Sequence, residues 1–220
     1  AFADDVTENP SCSEHNPGEQ AVDGYTFISQ DATFQMLLTS LPAVYTYPES
    51  HHVRCISART TEKHDATHEV TVTVYYNNDT SNDWHTFSQT LKFEDPAPGT
   101  EYNHMKNVHL SGAPSGNYNF VYATRGCTVI KVESFGKRMP DEPAPAESAP
   151  ESPETRTDEK GEEKGEEKQL DCMLWAVPNQ HRGIQSCCEK YFTNNCKKNT
   201  QHEYTPKACP LPPNDDKTEL

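Results

Sequence analysis

The chain has 220 residues, a formal net charge of -15 and a mean hydropathy of -0.90. It contains no run of 18 apolar residues, so a membrane span is excluded. Its acidic balance is the opposite of what nucleic acid or an anionic membrane surface attracts, so neither is expected as a partner. These values predict one domain, or one domain with an appendage, able to attract a cationic partner.

The predicted elements begin with a short helix over residues 30–38. Eight strands are then predicted, of which the clearest is 68–76, where Val70, Val72 and Val74 alternate with Thr71 and Thr73. A final amphipathic helix is expected within residues 178–196. The eight predicted strands cover residues 43–47, 53–59, 68–76, 84–94, 101–110, 117–124, 127–135 and 170–177.

Most of these strands are joined by turns of hairpin length. The pattern therefore predicts an all-β protein, an eight-stranded antiparallel up-and-down barrel, because closure removes exposed strand edges. The short N-terminal helix and the C-terminal helix should flank this barrel, the latter packed against its outside.

An acidic segment interrupts the barrel sequence at residues 139–169. It holds 11 acids against 4 bases, several prolines and no aromatic or branched aliphatic residue. Such a composition cannot offset the entropy of ordering, which predicts a disordered insertion. The single domain would then comprise residues 25–138 and 170–209, with a flexible tail over 210–220.

The eight cysteines indicate whether the protein is intracellular or extracellular. Their even number, without a C-x-x-C pair, predicts disulfides and hence an extracellular location. The triplet Asn78-Asp79-Thr80 is an N-glycosylation sequon, which predicts a glycan at Asn78. No signal peptide is recognisable in the first residues, so we interpret the chain as a processed, secreted protein.

No catalytic constellation stands out. The ten histidines are scattered, and neither H-E-x-x-H nor G-x-S-x-G occurs. We therefore expect no catalytic residue, no metal site and no cofactor. Small barrels commonly hold one ligand in the lumen, although the same aromatic side chains can simply fill it. Two roles, lining a ligand cavity and filling the core, remain open for Tyr118, Phe120, Tyr122 and Trp175.

The C-terminal cysteine pattern resembles that of the tick salivary lipocalins, the histamine-binding-protein family. It reads Cys172-x-Leu174-Trp175, then Cys187-Cys188-x-x-x-Phe192, Cys196, Tyr204 and Cys209, and Gln30-Asp31-Ala32 stands before a strand. The resemblance covers roughly residues 25–209 without the acidic segment. It implies four disulfides, one of which would tether the N-terminal segment 1–24 through Cys12. The implied pairs are Cys12–Cys187, Cys55–Cys209, Cys127–Cys188 and Cys172–Cys196.

Two positions depart from the amine-binding members of that family. Those members carry an acidic residue after the strand cysteine and a glutamate before the Leu-Trp pair. This chain has Thr128 and Met173 instead, which predicts a neutral lumen and argues against histamine or serotonin. The expected barrel-lining contacts are Tyr118, Phe120, Tyr122, Thr128, Ile130, Met173 and Trp175.

The resemblance implies non-catalytic suppression of host defence at a feeding site, and two hypotheses follow from it. The preferred one is an inhibitor that binds a host complement protein, expected to be basic, through surface loops. The alternative is a scavenger of a small mediator, with a fatty acid, leukotriene or sterol favoured over histamine or serotonin. A monomer is expected in either case.

Overall fold

The structure is a computed structural model of the whole chain. It describes residues 23–28, 32–41, 53–78, 83–95, 97–98, 101–110, 115–124, 126–136, 170–178, 182–197, 202–203 and 209. Two helices and nine strands lie within these ranges. The helices are α1 (Gly24–Ile28) and α2 (Arg182–Asn195); the strands are β1 (Thr33–Thr39), β2 (Val53–His64), β3 (Glu69–Asn78), β4 (Trp84–Phe93), β5 (His104–Leu110), β6 (Ser115–Ala123), β7 (Cys127–Gly136), β8 (Cys172–Ala176) and β9 (His202–Glu203).

The first eight strands form a closed antiparallel barrel, as the sequence predicted. Each strand from β2 to β7 pairs with the next, and β1 pairs with both β8 and β2 to close the ring. The start of β1, Thr33 to Gln35, contacts β2, whereas Leu38 and Thr39 pair with the two-residue β9. Because β1 and β2 are hydrogen-bonded over these residues, neither strand has an unpaired edge at the end of the barrel where β1 begins.

Alternation along the strands separates two buried clusters. Inward residues such as Met36, Val74 and Phe120 form the core inside the barrel. Outward residues of β7 and β8, including Val129 and Leu174, form a second cluster together with side chains of α2. The C-terminal helix therefore packs against the outside of the barrel, as expected.

The helix predicted over residues 30–38 is wrong, since Thr33–Thr39 form strand β1. Phe34 and Met36 point into the barrel, while Leu37 belongs to the outer cluster, so both faces of the segment are buried. A β-strand can bury apolar side chains on both of its faces at once, which accounts for this conformation. The described N-terminal helix is instead α1, and the predicted strand over 43–47 lies outside the described residues.

Three disulfides join the barrel wall to segments on its outside. They coincide with three of the four pairs that the resemblance implies. The fourth involves Cys12, which lies outside the described residues, so the pairing of Cys12 with Cys187 stays a prediction. The three bonds are Cys55–Cys209, Cys127–Cys188 and Cys172–Cys196.

Candidate functional site: the barrel cavity

Helix α1 closes one end of the barrel. The main-chain N–H groups of Gly24 and Tyr25 both donate to the carbonyl oxygen of Tyr102, at 2.8 and 3.1 Å. The Thr60 hydroxyl donates to the carbonyl oxygen of Ile28 at 2.6 Å. These bonds attach both ends of the short helix to the barrel wall, so that Phe27 and Ile28 form part of the lining.

Packed side chains fill much of the interior and leave a small cavity of about 60 Å³. Sites for drug-sized ligands usually span roughly 300–1,000 Å³, so this cavity suits only a small or slender molecule. Each of the eight barrel strands contributes to its wall, and the contribution of β2 is Ala58. The lining residues are Phe27, Ile28, Phe34, Ala58, Val72, Val74, Gln89, Leu91, Met105, Tyr118, Phe120, Thr128, Ile130, Met173 and Trp175.

Among the residues that the structure describes, no aspartate, glutamate, lysine or arginine belongs to this lining. The hydroxyl of Thr128 is committed to the carbonyl oxygen of Tyr122, at 2.8 Å. Burial raises the pKa of the Tyr118 phenol well above its ordinary value, which keeps that group neutral. The described part of the cavity is therefore uncharged and mostly apolar.

Six of the seven predicted contacts line this cavity, and Tyr122 does not. The pairing register between β6 and β7 shifts between Phe120 and Tyr122. Such a bulge reverses the alternation of faces, so Tyr122 packs outside the barrel and stacks on Tyr191 with ring centroids 4.8 Å apart. The six lining residues are Tyr118, Phe120, Thr128, Ile130, Met173 and Trp175.

Gln89 is a lining residue that the sequence analysis did not single out. It is 6% exposed, and its side-chain oxygen accepts a hydrogen bond from Nδ2 of Asn107 at 2.8 Å. A signal did exist in the sequence, because Gln89 occupies an apolar position in the row of Phe87, Leu91 and Phe93. A polar residue at such a position marks a group that needs a partner inside the protein.

The described outer surface carries a small group of ion pairs around His104. His104 bridges Glu94 and Glu133, with both nitrogen–oxygen distances at 2.9 Å. Within the described ranges, no group of three or more histidine, cysteine, aspartate or glutamate residues is arranged to hold a metal ion. In that same part of the chain, no helix is long and apolar enough to cross a membrane.

A closed eight-stranded barrel with an outer C-terminal helix and an apolar lumen defines a lipocalin-like binding protein. The chain matches the family model described as tick histamine binding protein over residues 13–138. This is more than half of the chain, so the protein belongs to the tick histamine-binding protein family, a family of binding proteins rather than enzymes. A search of curated proteins finds no match.

Proposed function

We propose that this protein is a secreted salivary lipocalin that captures a small, uncharged and largely apolar ligand inside its barrel. The observation that carries the proposal is the lining itself, which is apolar along most of its surface and, among the described residues, holds no side chain that is charged at neutral pH. Burial of an apolar ligand against such a wall is favourable in proportion to the area removed from water.

The same lining argues against histamine and serotonin. Each carries an ammonium group at neutral pH, and a buried charge without a counter-ion is costly. Thr128 and Met173 stand at the two positions where the resemblance implies acids in amine-binding members, and no carboxylate lines the cavity among the described residues. A slender uncharged chain suits the cavity better than a rigid sterol. A fatty acid or leukotriene is anionic at neutral pH and fits this lining only if its carboxylate stays outside the apolar space.

Trp175 provides the test, because it lines the cavity and is 8% exposed. Trp84 packs against the outer cluster and is the other tryptophan of the chain, so Trp84→Phe leaves Trp175 as the reporter. Hexan-1-ol and hexylamine are titrated against the Trp175 emission. The proposal expects a saturable change with the alcohol and none with the protonated amine or with histamine. Equal binding of alcohol and amine would overturn it.

Inhibition of a host complement protein is the second candidate. Two observations favour it: the net charge of -15, which would speed encounter with a basic plasma protein, and a lumen that is mostly filled by side chains. Serum passed over the immobilised protein, with a haemolysis assay in parallel, tests this function. Retention of no complement component together with normal lysis would exclude it.

A further inference from the structure

We propose that the amides of Gln89 and Asn107 form a polar subsite for the head group of the ligand, and that this head is uncharged and both donates and accepts hydrogen bonds. A hydroxyl or a primary amide has this chemistry. The inference rests on the proposed function, since it assumes that the barrel takes up a ligand, and it adds the chemical class of that ligand.

The two amides come from neighbouring strands and meet on the inner side of the barrel. Gln89 lies on β4 in the inward row with Leu91, and Asn107 pairs with Leu91 across the β4–β5 ladder. The bond between the amides is 2.8 Å long. Gln89 lines the cavity and is more than nine-tenths buried, so its amide is available to a molecule inside rather than to solvent.

This single bond leaves hydrogen-bonding capacity unused. Oδ1 of Asn107 is buried and has no partner among the described residues. The amide nitrogen of Gln89 likewise makes no hydrogen bond within that part of the chain, where its oxygen bonds Asn107. If both amides were rotated, the same would hold, because one amide–amide bond always leaves one NH2 group and one carbonyl oxygen of the pair without a partner. Buried polar groups are nearly always paired, so this pair is complementary to a ligand group of both kinds.

The position of the pair fixes the orientation of the ligand. The closed end of the barrel is marked by Tyr25 of α1, whose ring lies 5.5 Å from that of Phe93 at the end of β4. Gln89 lies four residues before Phe93, which is about 13 Å along an extended strand. The apolar body would therefore point towards α1, against Phe27 and Phe120, with its head at the amides.

The test compares two probes of the same length, hexan-1-ol and 1-chlorohexane, of which only the alcohol can donate a hydrogen bond. Binding is measured by Trp175 fluorescence in the Trp84→Phe background and by calorimetry. In the otherwise unchanged protein the alcohol should bind roughly tenfold more tightly than the chloride. In the Gln89→Leu/Asn107→Leu variant the preference should disappear, chiefly through weaker binding of the alcohol. Val121→Ile, an apolar exchange on the outer side of the wall, should keep the preference.

The outcomes separate this inference from the proposed function. If neither probe binds the unchanged protein, both are wrong. If both probes bind alike and the double variant changes neither affinity, the subsite is wrong while uptake by the barrel stands, and the amides serve only the fold or bound water. Circular dichroism checks that the double variant is folded; Gln89→Met, which keeps the shape of the side chain, gives the same comparison if it is not.

Discussion

The hydroxyl of Thr128 on β7 donates to the carbonyl oxygen of Tyr122 on β6, so a polar side chain at the cavity wall is satisfied by the barrel itself. Directly across the β7–β8 ladder from Thr128 stands Trp175, and Ile130 faces Met173 in the same way. These four residues make this side of the cavity wall neutral.

Met173→Glu should therefore create an amine site. Met173 is 2% exposed and lines the cavity, so a glutamate there would be a buried carboxylate close to any bound ammonium. We expect hexylamine binding to appear, and the unliganded variant to be less stable because burial opposes ionisation. Met173→Gln, which has the size of glutamate without its charge, should bind no amine. Titration calorimetry measures both, and amine binding by the glutamine variant would contradict the explanation.

Gly24→Ala should destabilise the closed end of the barrel. A Cβ at Gly24 would lie 2.3 Å from the Phe120 ring, which is buried in the core and lines the cavity. Overpacking of this kind costs about 1–3 kcal/mol of unfolding free energy. Gly136→Ala is the control, because its Cβ would meet the movable hydroxyl of Ser115 and should cost far less. Chemical denaturation measures the two; equal losses would show that the approach of Gly24 to Phe120 is unimportant.

The surface carboxylates give a small dependence of stability on pH. The hydrogen bond from His104 is the main cause of the lowered pKa of Glu133, and that from Lys106 is the main cause for Glu94. A pKa that is lower in the folded state adds stability that is complete above the unfolded value, about 4.3, and is lost as pH falls through the folded value. Both side chains are a third or more exposed, so each contributes under about 1 kcal/mol.

Glu133→Gln should accordingly lower the unfolding free energy at pH 6 and have little effect at pH 3. Urea denaturation at both pH values measures this. Glu62→Gln is the matched control, because it also removes one surface carboxylate, at an exposed position on β2. An effect of Glu133→Gln that is as large at pH 3 as at pH 6 would show that the interaction does not depend on the ionised carboxylate.

Deletion of residues 140–168 should leave the barrel folded. The acidic segment lies outside the described residues, and its expected disorder remains a prediction from composition. The Cys127–Cys188 bond spans 61 residues, and shortening that loop by about half changes its stabilisation by only about 0.6 kcal/mol. A melting temperature close to that of the full chain is expected. A fall of more than roughly 8 °C would mean that the segment contributes to the core.

The same deletion tests whether the acidic segment attracts a basic partner. It removes a net charge of about -7, so steered association should slow, and the difference should shrink at high salt. Surface plasmon resonance against a retained serum protein measures the association rate at two ionic strengths. Identical rates under both conditions would show that the segment takes no part in steering.

The barrel was predictable because the sequence patterns that indicate its strands are local. Alternation in β3 and the turns around it can be read from short windows, and the apolar face of α2 has helical spacing. β1 could not be read this way. Its apolar residues are compatible with both the helical and the strand period; they are Phe34, Met36, Leu37 and Leu38. The strand conformation is selected by pairing with β8, more than 130 residues later in the chain.

The site was predictable in part for the same reason. Thr128 and Met173 were found because their neighbours in sequence, a cysteine and a Leu-Trp pair, mark the position. The outward turn of Tyr122 depends on a bulge that its own sequence does not signal. The pairing of Gln89 with Asn107 depends on the register between two strands, which is a property of the assembled sheet.

The three described disulfides all lie on the outer side of the barrel wall, and none of their cysteines belongs to the cavity lining. The covalent framework and the recognition surface thus occupy opposite faces of the same strands, one residue apart in sequence, as Cys127 and Thr128 or Cys172 and Met173 show. Substitutions on the inner face can change which molecule is held while every cross-link keeps its partner.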